Sequence, residues 1–378
     1  MTKWHLPFLI LLAISTAQSG VKAATFIPLG SLDSSDSMAT GLSGDGSVVV
    51  GWSESSQGRQ AFTWSANSGM QGLGDLPGGA FESYALGVSG NGSTILGRGY
   101  SPGNIEPIIW QAGSIQSLSS SPAGTFESTG AYASSFDGSV IVGSSLIDGN
   151  YQAFRWTAAT GLTALAGTGT VKATSTSADG SVIVGDGLTD GVCCQAFVWT
   201  AKTGAVGLGD FNSDPFTSST GTAVSADGSV VVGYASGLQN GENAFLWTAL
   251  EGMQPLSLAS GYQASRAFGV SGDGSIVVGS AHDGHTSDAV FWDAAGPMQN
   301  LLGYLIENGA SNLAGWALKE TLAVSADGTT VAGWGVNPSG AAEAFVATLS
   351  PVPIPASLWL YGGALAALAC IRRQLATL

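Results

Sequence analysis

The stretch Ser43-Gly44-Asp45-Gly46-Ser47-Val48-Val49-Val50-Gly51 joins a tight-turn signal to a β-branched run that stops at glycine. Asp-Gly between apolar runs marks a hairpin, because the tight turn needs positive φ, which Gly adopts freely and Asp tolerates. The same turn recurs at Asn91-Gly92, Asp137-Gly138, Asp179-Gly180, Asp227-Gly228, Asp273-Gly274 and Asp327-Gly328, at spacings of 46, 46, 42, 48, 46 and 54 residues. A strand-like run follows every copy, as in Val140-Ile141-Val142 and Val230-Val231-Val232, and all seven runs end in Gly.

A second element follows each run. It reads Gln60-Ala61-Phe62-Thr63-Trp64 and returns as Gln152-Ala153-Phe154-Arg155-Trp156, Gln195-Ala196-Phe197-Val198-Trp199 and Asn243-Ala244-Phe245-Leu246-Trp247. Glu106 to Trp110 and Asp288 to Trp292 are looser copies, and Glu343-Ala344-Phe345 is the seventh, with Ala347 where the Trp would be. With a strand before the turn and a short segment such as Met70 to Gly74 after the Trp, each unit holds four strands. Four strands in 42 to 54 residues, repeated seven times, predict an all-β, seven-bladed propeller. An open β-solenoid is the alternative, although its repeats are usually shorter.

The seventh unit runs out after Phe345-Val346, so its fourth strand is missing. The segment Phe26-Ile27-Pro28-Leu29-Gly30-Ser31-Leu32 resembles Leu73-Gly74-Asp75-Leu76 of the first unit. It is expected to complete the last blade, which would cover both open sheet edges. Between units six and seven, Met298, Leu301, Leu302, Leu305 and Ile306 are apolar at helical spacing, which predicts a short helix over 298–306.

The Asp-Gly hairpin followed by Ala-Phe-x-Trp resembles the bacterial extracellular HAF repeat family over most of residues 25–350, and Gly315-Trp316-Ala317-Leu318 fits it too. No copy here has His before Ala-Phe; Gln, Asn, Asp or Glu stands there. The resemblance implies architecture rather than chemistry.

Both ends read as addresses. Lys3 and His5 precede an apolar run from Leu6 to Ala13, and Val21-Lys22-Ala23 supplies the residues a signal peptidase reads, so residues 1–23 are expected to be a cleaved leader. A buried N-terminal helix is the other reading. At the C-terminus, Val352-Pro353-Ile354-Pro355-Ala356 precedes an apolar stretch from Leu358 to Ile371 and then Arg372-Arg373. This order, within residues 351–378, resembles the PEP-CTERM sorting signals of Gram-negative bacteria in their Val-Pro-x-Pro-Ala variant. The resemblance implies processing by an exosortase-type enzyme, transient anchoring of the C-terminal helix in the inner membrane, and association with envelope surfaces and extracellular polysaccharide. A plain membrane anchor, with the basic pair on the cytoplasmic side, is the alternative.

Composition narrows the function. Charged residues are 10% of the chain and the net charge is −15, with 26 acidic against 11 basic residues. Four of the basic residues (Lys3, Lys22, Arg372 and Arg373) lie in the two end segments, so the repeat region of 24–350 is more acidic still, and nucleic acid is excluded as a partner. Gly is 56 of 378 without a Gly-X-Y period, which excludes collagen.

Candidate chemistry is sparse. Asp45, Asn91, Asp137, Asp179, Asp227, Asp273 and Asp327 suit hairpin geometry better than a ring of calcium ligands. The six repeated Trp residues, Trp64 to Trp292, suit interblade packing better than a carbohydrate-stacking platform, because each recurs at one place in the blade. Trp52 and Trp334, just past the Gly of their runs, and Tyr100 and Tyr234 near the same place, are the better candidates for exposed stacking groups. Arg59, Arg98, Arg155 and Arg266 are expected in the loop or third strand of different blades, against a sialidase-type triad. His282 and His285, with Asp283 and Asp288 nearby, read as a polar loop rather than a metal site. Cys193 and Cys194 are expected in the corresponding loop of unit four, as a vicinal disulfide, an intermolecular bond or free thiols. No cofactor or metal is implied. The function expected is a non-catalytic binding or structural module, exported to the cell surface or matrix, with polysaccharide or envelope proteins as partners. A glycan-active enzyme on the same propeller is the alternative.

Overall fold

The computed structural model describes residues 23–33, 35–119, 129–147, 150–165, 172–189, 192–211, 218–238, 241–293 and 296–349. The expected leader and sorting segments lie outside the described residues. Among those described, no helix is long and apolar enough to cross a membrane.

Seven four-stranded antiparallel sheets form the blades of a β-propeller. Blade one consists of Ser37–Leu42, Val49–Ser55, Gly58–Ser65 and Gly69–Gly72, paired in that order. Blades two to six follow as 83–117, 130–164, 172–207, 219–255 and 264–300. Blade seven takes Ala317–Val324, Thr330–Val336 and Ala342–Thr348 from the end of the chain and Thr25–Pro28 from its start. The first strand of each blade is innermost and lines a central channel with a cavity of about 440 Å³.

The closing strand pairs Thr25 with Thr348 and Pro28 with Phe345. It is shorter than the expected 26–32, because Leu29 and Gly30 already turn away. The Leu29 amide donates to Ala344 O at 2.9 Å, as Leu73 does to Ala61 O at 2.8 Å, and Gly30 and Gly74 have φ of +72° and +77°. The resemblance between the two segments is therefore one of geometry. Phe26 anchors the strand edge-on to Trp316, with ring centroids 5.0 Å apart.

There is no single core. Seven apolar clusters each lie between two neighbouring blades. Along the second strand of blade three, Val140 and Val142 pack toward blade four while Ile141 packs toward blade two. Both faces of that strand are buried, which is why its sequence is continuously apolar instead of alternating.

The seven terminal glycines have one cause. The innermost strand bulges, between Ala39 and Gly41 in blade one and at equivalent places elsewhere. The bulge presses a backbone carbonyl onto the glycine: a Cβ would lie 1.9 Å from Met38 O at Gly51 and 2.0 Å from Gly130 O at Gly143. The Phe of the third strand, paired with this Gly in register, closes over the same spot. Buried serines then clamp neighbouring blades. Ser83 Oγ accepts from the Ala61 amide at 3.0 Å and donates to Gly74 O at 2.8 Å, and Ser37 and Ser219 repeat both bonds.

The helix differs from expectation. It runs Leu301–Glu307, and Met298–Asn300 is instead the outer strand of blade six, paired through Trp292 with Met298. Asn300 sets the boundary, because its side chain accepts from the Gly303 amide and caps the helix. Leu301 and Leu305 are fully buried in the cluster between blades six and seven.

Candidate functional site

At one end of the channel the Asp-Gly turns draw together. In blade one Asp45 Oδ1 accepts from Ser43 Oγ at 2.7 Å and from the Ser47 amide at 3.0 Å. Asn91 makes the same bonds with Ser89 and Ser93, and the other five carboxylates repeat them. These bonds hold the carboxyls below the usual range. Asp137 and Asp179 fall to about 2, chiefly through the Ser135 and Ser177 hydroxyls, and Asp227 to about 2, chiefly through the Ser229 amide. Among the described residues no group of three or more His, Cys, Asp or Glu could hold a metal ion.

The turns are also bonded to one another. Phe136 N donates to Ala178 O, Ala178 N to Ala226 O, Ala226 N to Gly272 O, Gly272 N to Ala326 O and Ala326 N to Gly44 O, all at 2.8 or 2.9 Å. Gly44 N to Gly90 O and Asn91 N to Phe136 O complete the ring at 2.9 Å. Phe136, the one large residue at this level, is half exposed and lies over Gly90 and Gly44.

The opposite end of the channel is built differently. Past the terminal Gly of each second strand comes one residue facing a partner on the innermost strand. The pairs are Met38 with Trp52, Tyr84 with Arg98, Gly130 with Ser144 and Lys172 with Asp186, then Thr220 with Tyr234, Arg266 with Ser280 and Glu320 with Trp334. The repeats match up to the Gly and diverge directly after it. Trp52, Tyr234 and Trp334 thus share one register in three blades. Tyr100 lies two residues beyond this level and borders a separate surface groove with Gly79 and Pro102.

Cations and aromatic rings alternate along this belt. The Arg59 guanidinium lies 4.2 Å from the Trp52 ring centre and 5.5 Å from that of Tyr84, Arg98 lies 4.4 Å from Tyr84, and Lys172 lies 4.1 Å from Tyr132. Farther round, Arg266 covers Tyr234 at 5.0 Å. Such contacts are worth about 0.5–1 kcal/mol when exposed and about 2 when desolvated. Arg59 also donates to Glu54 at 2.6 Å and to the Tyr84 hydroxyl at 2.9 Å, Tyr84 donates to Glu82, and Trp334 donates to Glu320 at 3.0 Å. Arg266 is paired with Glu242. Burial raises the Asp186 carboxyl, lowers the Lys172 ammonium beside it and pushes the Tyr132 hydroxyl up to about 12.

Arg98 and Arg266 are therefore not in loops or third strands: Arg98 lies on a second strand and Arg266 on an innermost one. Arg59 and Arg98 meet on Tyr84, whereas Arg155 borders a groove at the turn end, so the triad does not form. Sequence reasoning picked out Trp52, Tyr234 and Trp334, which are half-buried rather than exposed, but missed Tyr84, Arg59, Arg98, Lys172 and Arg266 beside them, because these come from three strand types. The signal available was that divergence directly past a repeated Gly. His282 ends a second strand rather than lying in a loop, and Asp288 accepts from the Tyr262 hydroxyl at 2.7 Å. The backbone at Cys193 and Cys194 belongs to the strand Val192–Thr200, not to a loop. The sorting residues Val352 to Ala356, Arg372 and Arg373 lie outside the described residues.

No protein-family model matches the chain, and no curated protein matches it. Solved structures share its fold. The oligogalacturonate lyase of Vibrio parahaemolyticus aligns at 11% identity over 86% of this chain and 97% of that one, with a TM-score of 0.55. The β-propeller domain of the trilobed protease from Pyrococcus furiosus aligns at 11% identity over 86% and 95%, with a TM-score of 0.52. TolB from Acinetobacter baumannii gives 12% identity and a TM-score of 0.49 over 67% of this chain, which spans only 62% of that one. At these identities the likeness to the lyase and to the protease domain extends to the propeller fold alone.

Proposed function

We propose that this chain is an exported, non-catalytic binding propeller of the HAF-repeat type, and that its ligand, an extracellular polysaccharide or envelope protein, meets the belt at the channel entrance. One observation carries the reading: seven near-equal repeats diverge in the belt, where Trp52, Tyr234 and Trp334 share a register with Arg98, Lys172 and Arg266. Side chains that serve the fold repeat here; those that differ from blade to blade suit recognition. Four of the seven basic residues in 24–350 stand in or beside this belt. Carboxylates accompany them, so the entrance is mixed in charge.

Export rests on the two end segments. A leader removed after Ala23 leaves the Ala24 nitrogen donating to Asn308 O, a bond a free amine keeps. Retention of the purified protein on native surface polysaccharide and envelope fractions tests the binding reading. Trp52→Ala combined with Trp334→Ala, shown folded by circular dichroism, is expected to weaken retention at least tenfold. Equal retention, or none by the unmodified protein, refutes it. Intact mass from fractionated cells tests the sorting reading, with loss of 1–23 and of the tail past Ala356 expected.

The Lys172 and Asp186 pair beside Tyr132 supports a second reading, a glycan-active enzyme, since perturbed ionisable groups in a cavity are common at catalytic sites. Turnover of surface polysaccharide, abolished by Asp186→Asn, would establish it.

A further inference from the structure

The turn face carries grooves that neither the belt nor the turn geometry requires. They lie between blades seven and one, two and three, and four and five, with volumes of about 340, 590 and 590 Å³. All three are built alike. Trp64, Trp156 or Trp247 forms one side, half-buried. The preceding blade supplies an apolar wall at one repeat position: Val346, Ile109 or Val198. Hydroxyls rim each groove, from Ser47, Ser139 or Ser229 of the hairpin turn and from Ser65, Thr157 or Thr248 just after the Trp.

Packing does not demand this openness. At equivalent positions Trp110 and Trp292 are 4% and 0% exposed, and the Trp292 indole donates to Ser257 O at 2.8 Å. A Trp at this position can therefore be sealed inside the interface. Where it is not, an indole is left beside hydroxyl groups.

We propose that these grooves are equivalent subsites for pyranose rings of a neutral polysaccharide, distinct from the belt. A pyranose with equatorial hydroxyls offers an apolar C–H face to the indole and its hydroxyls to the rim. An anionic sugar is disfavoured, because the turn beside each groove holds a carboxylate, Asp45, Asp137 or Asp227, whose own hydrogen bonds keep it ionised. Repetition supplies what one shallow site lacks. A polymer long enough to occupy two grooves at once gains a factor of about 10²–10⁴ over a single sugar.

Native affinity electrophoresis of the full protein tests this, with hydroxyethylcellulose in the gel as the neutral polymer, alginate as the anionic one and free glucose as competitor. Hydroxyethylcellulose is expected to retard the protein and alginate not to, while glucose at millimolar concentration releases little. Ala158 and Ala249 are exposed at two groove lips, away from the apolar clusters. Ala158→Glu with Ala249→Glu is therefore expected to keep the fold and weaken retardation at least tenfold. Retardation by alginate alone, by neither polymer, or equally for the doubly substituted protein overturns the proposal.

Discussion

The carbonyl oxygen of Met38 stands 1.9 Å from the point where a Cβ of Gly51 would be. No shift of a flexible side chain relieves that contact, because both partners are backbone inside a sheet. Gly51→Ala is therefore expected to cost about 3 kcal/mol or more, read as a lower urea midpoint. Gly103, with φ +78° and nothing near its Cβ position, bears only the conformational penalty. Gly103→Ala is expected to cost about 1–2 kcal/mol.

The serine clamp makes a paired prediction. Ser83→Ala leaves the buried Ala61 amide without its partner and is expected to destabilise by about 1–3 kcal/mol. Thr129 holds the same place in blade three, but the preceding blade has Pro107 where the donor should be, and among the described residues Thr129 Oγ1 has no partner. Thr129→Val removes an orphaned hydroxyl at nearly constant shape. It is expected to raise the thermal midpoint, the reverse of Ser83→Ala.

Local signals made the blades legible. Asp-Gly turns, β-branched runs and the Ala-Phe-x-Trp strand act within a few residues, and even the missing strand of blade seven showed as a Leu-Gly pair at 29–30. What stayed hidden depended on register. That Gly51 faces a bulged carbonyl, or that Ser83 reaches the previous blade, follows only once strands are paired. Met298–Asn300 differs from expectation for a related reason: its apolar spacing suits a helix or an edge strand, and the pairing of Met298 with Trp292 decides. Tyr84 and Arg98 are partners within one hairpin, but Arg59 comes from the neighbouring blade, and only the packing of blade one on blade two brings it to them.

Acid should loosen the turn end. The turn carboxyls have folded pKa values below their unfolded ones, so their contribution is complete above about pH 4 and is lost as pH falls toward about 2. Because Asn91 already makes the same bonds without titrating, Asp137→Asn, Asp179→Asn and Asp227→Asn together are expected to flatten the decline in melting temperature between pH 4 and 2. An unchanged acid limb would show that other groups control it.

The closing strand can be locked. Thr25 and Thr348 are register partners whose hydroxyl oxygens lie 2.6 Å apart. Cysteines at both positions are expected to form a disulfide under oxidising conditions and to raise stability by up to about 5 kcal/mol, since the bond closes a very long loop. Comparing unfolding with and without reductant measures it.

The same pairing sets a timetable for the growing chain. Thr25 and Thr348 are 323 residues apart, which at about 5–20 residues per second is on the order of half a minute of synthesis. Through that interval the strand made first has no partner, and the apolar face that blade one turns toward blade seven, with Val49 and Phe62, has nothing to pack against. Blade packing can begin early, but the circle exists only after the last strand arrives.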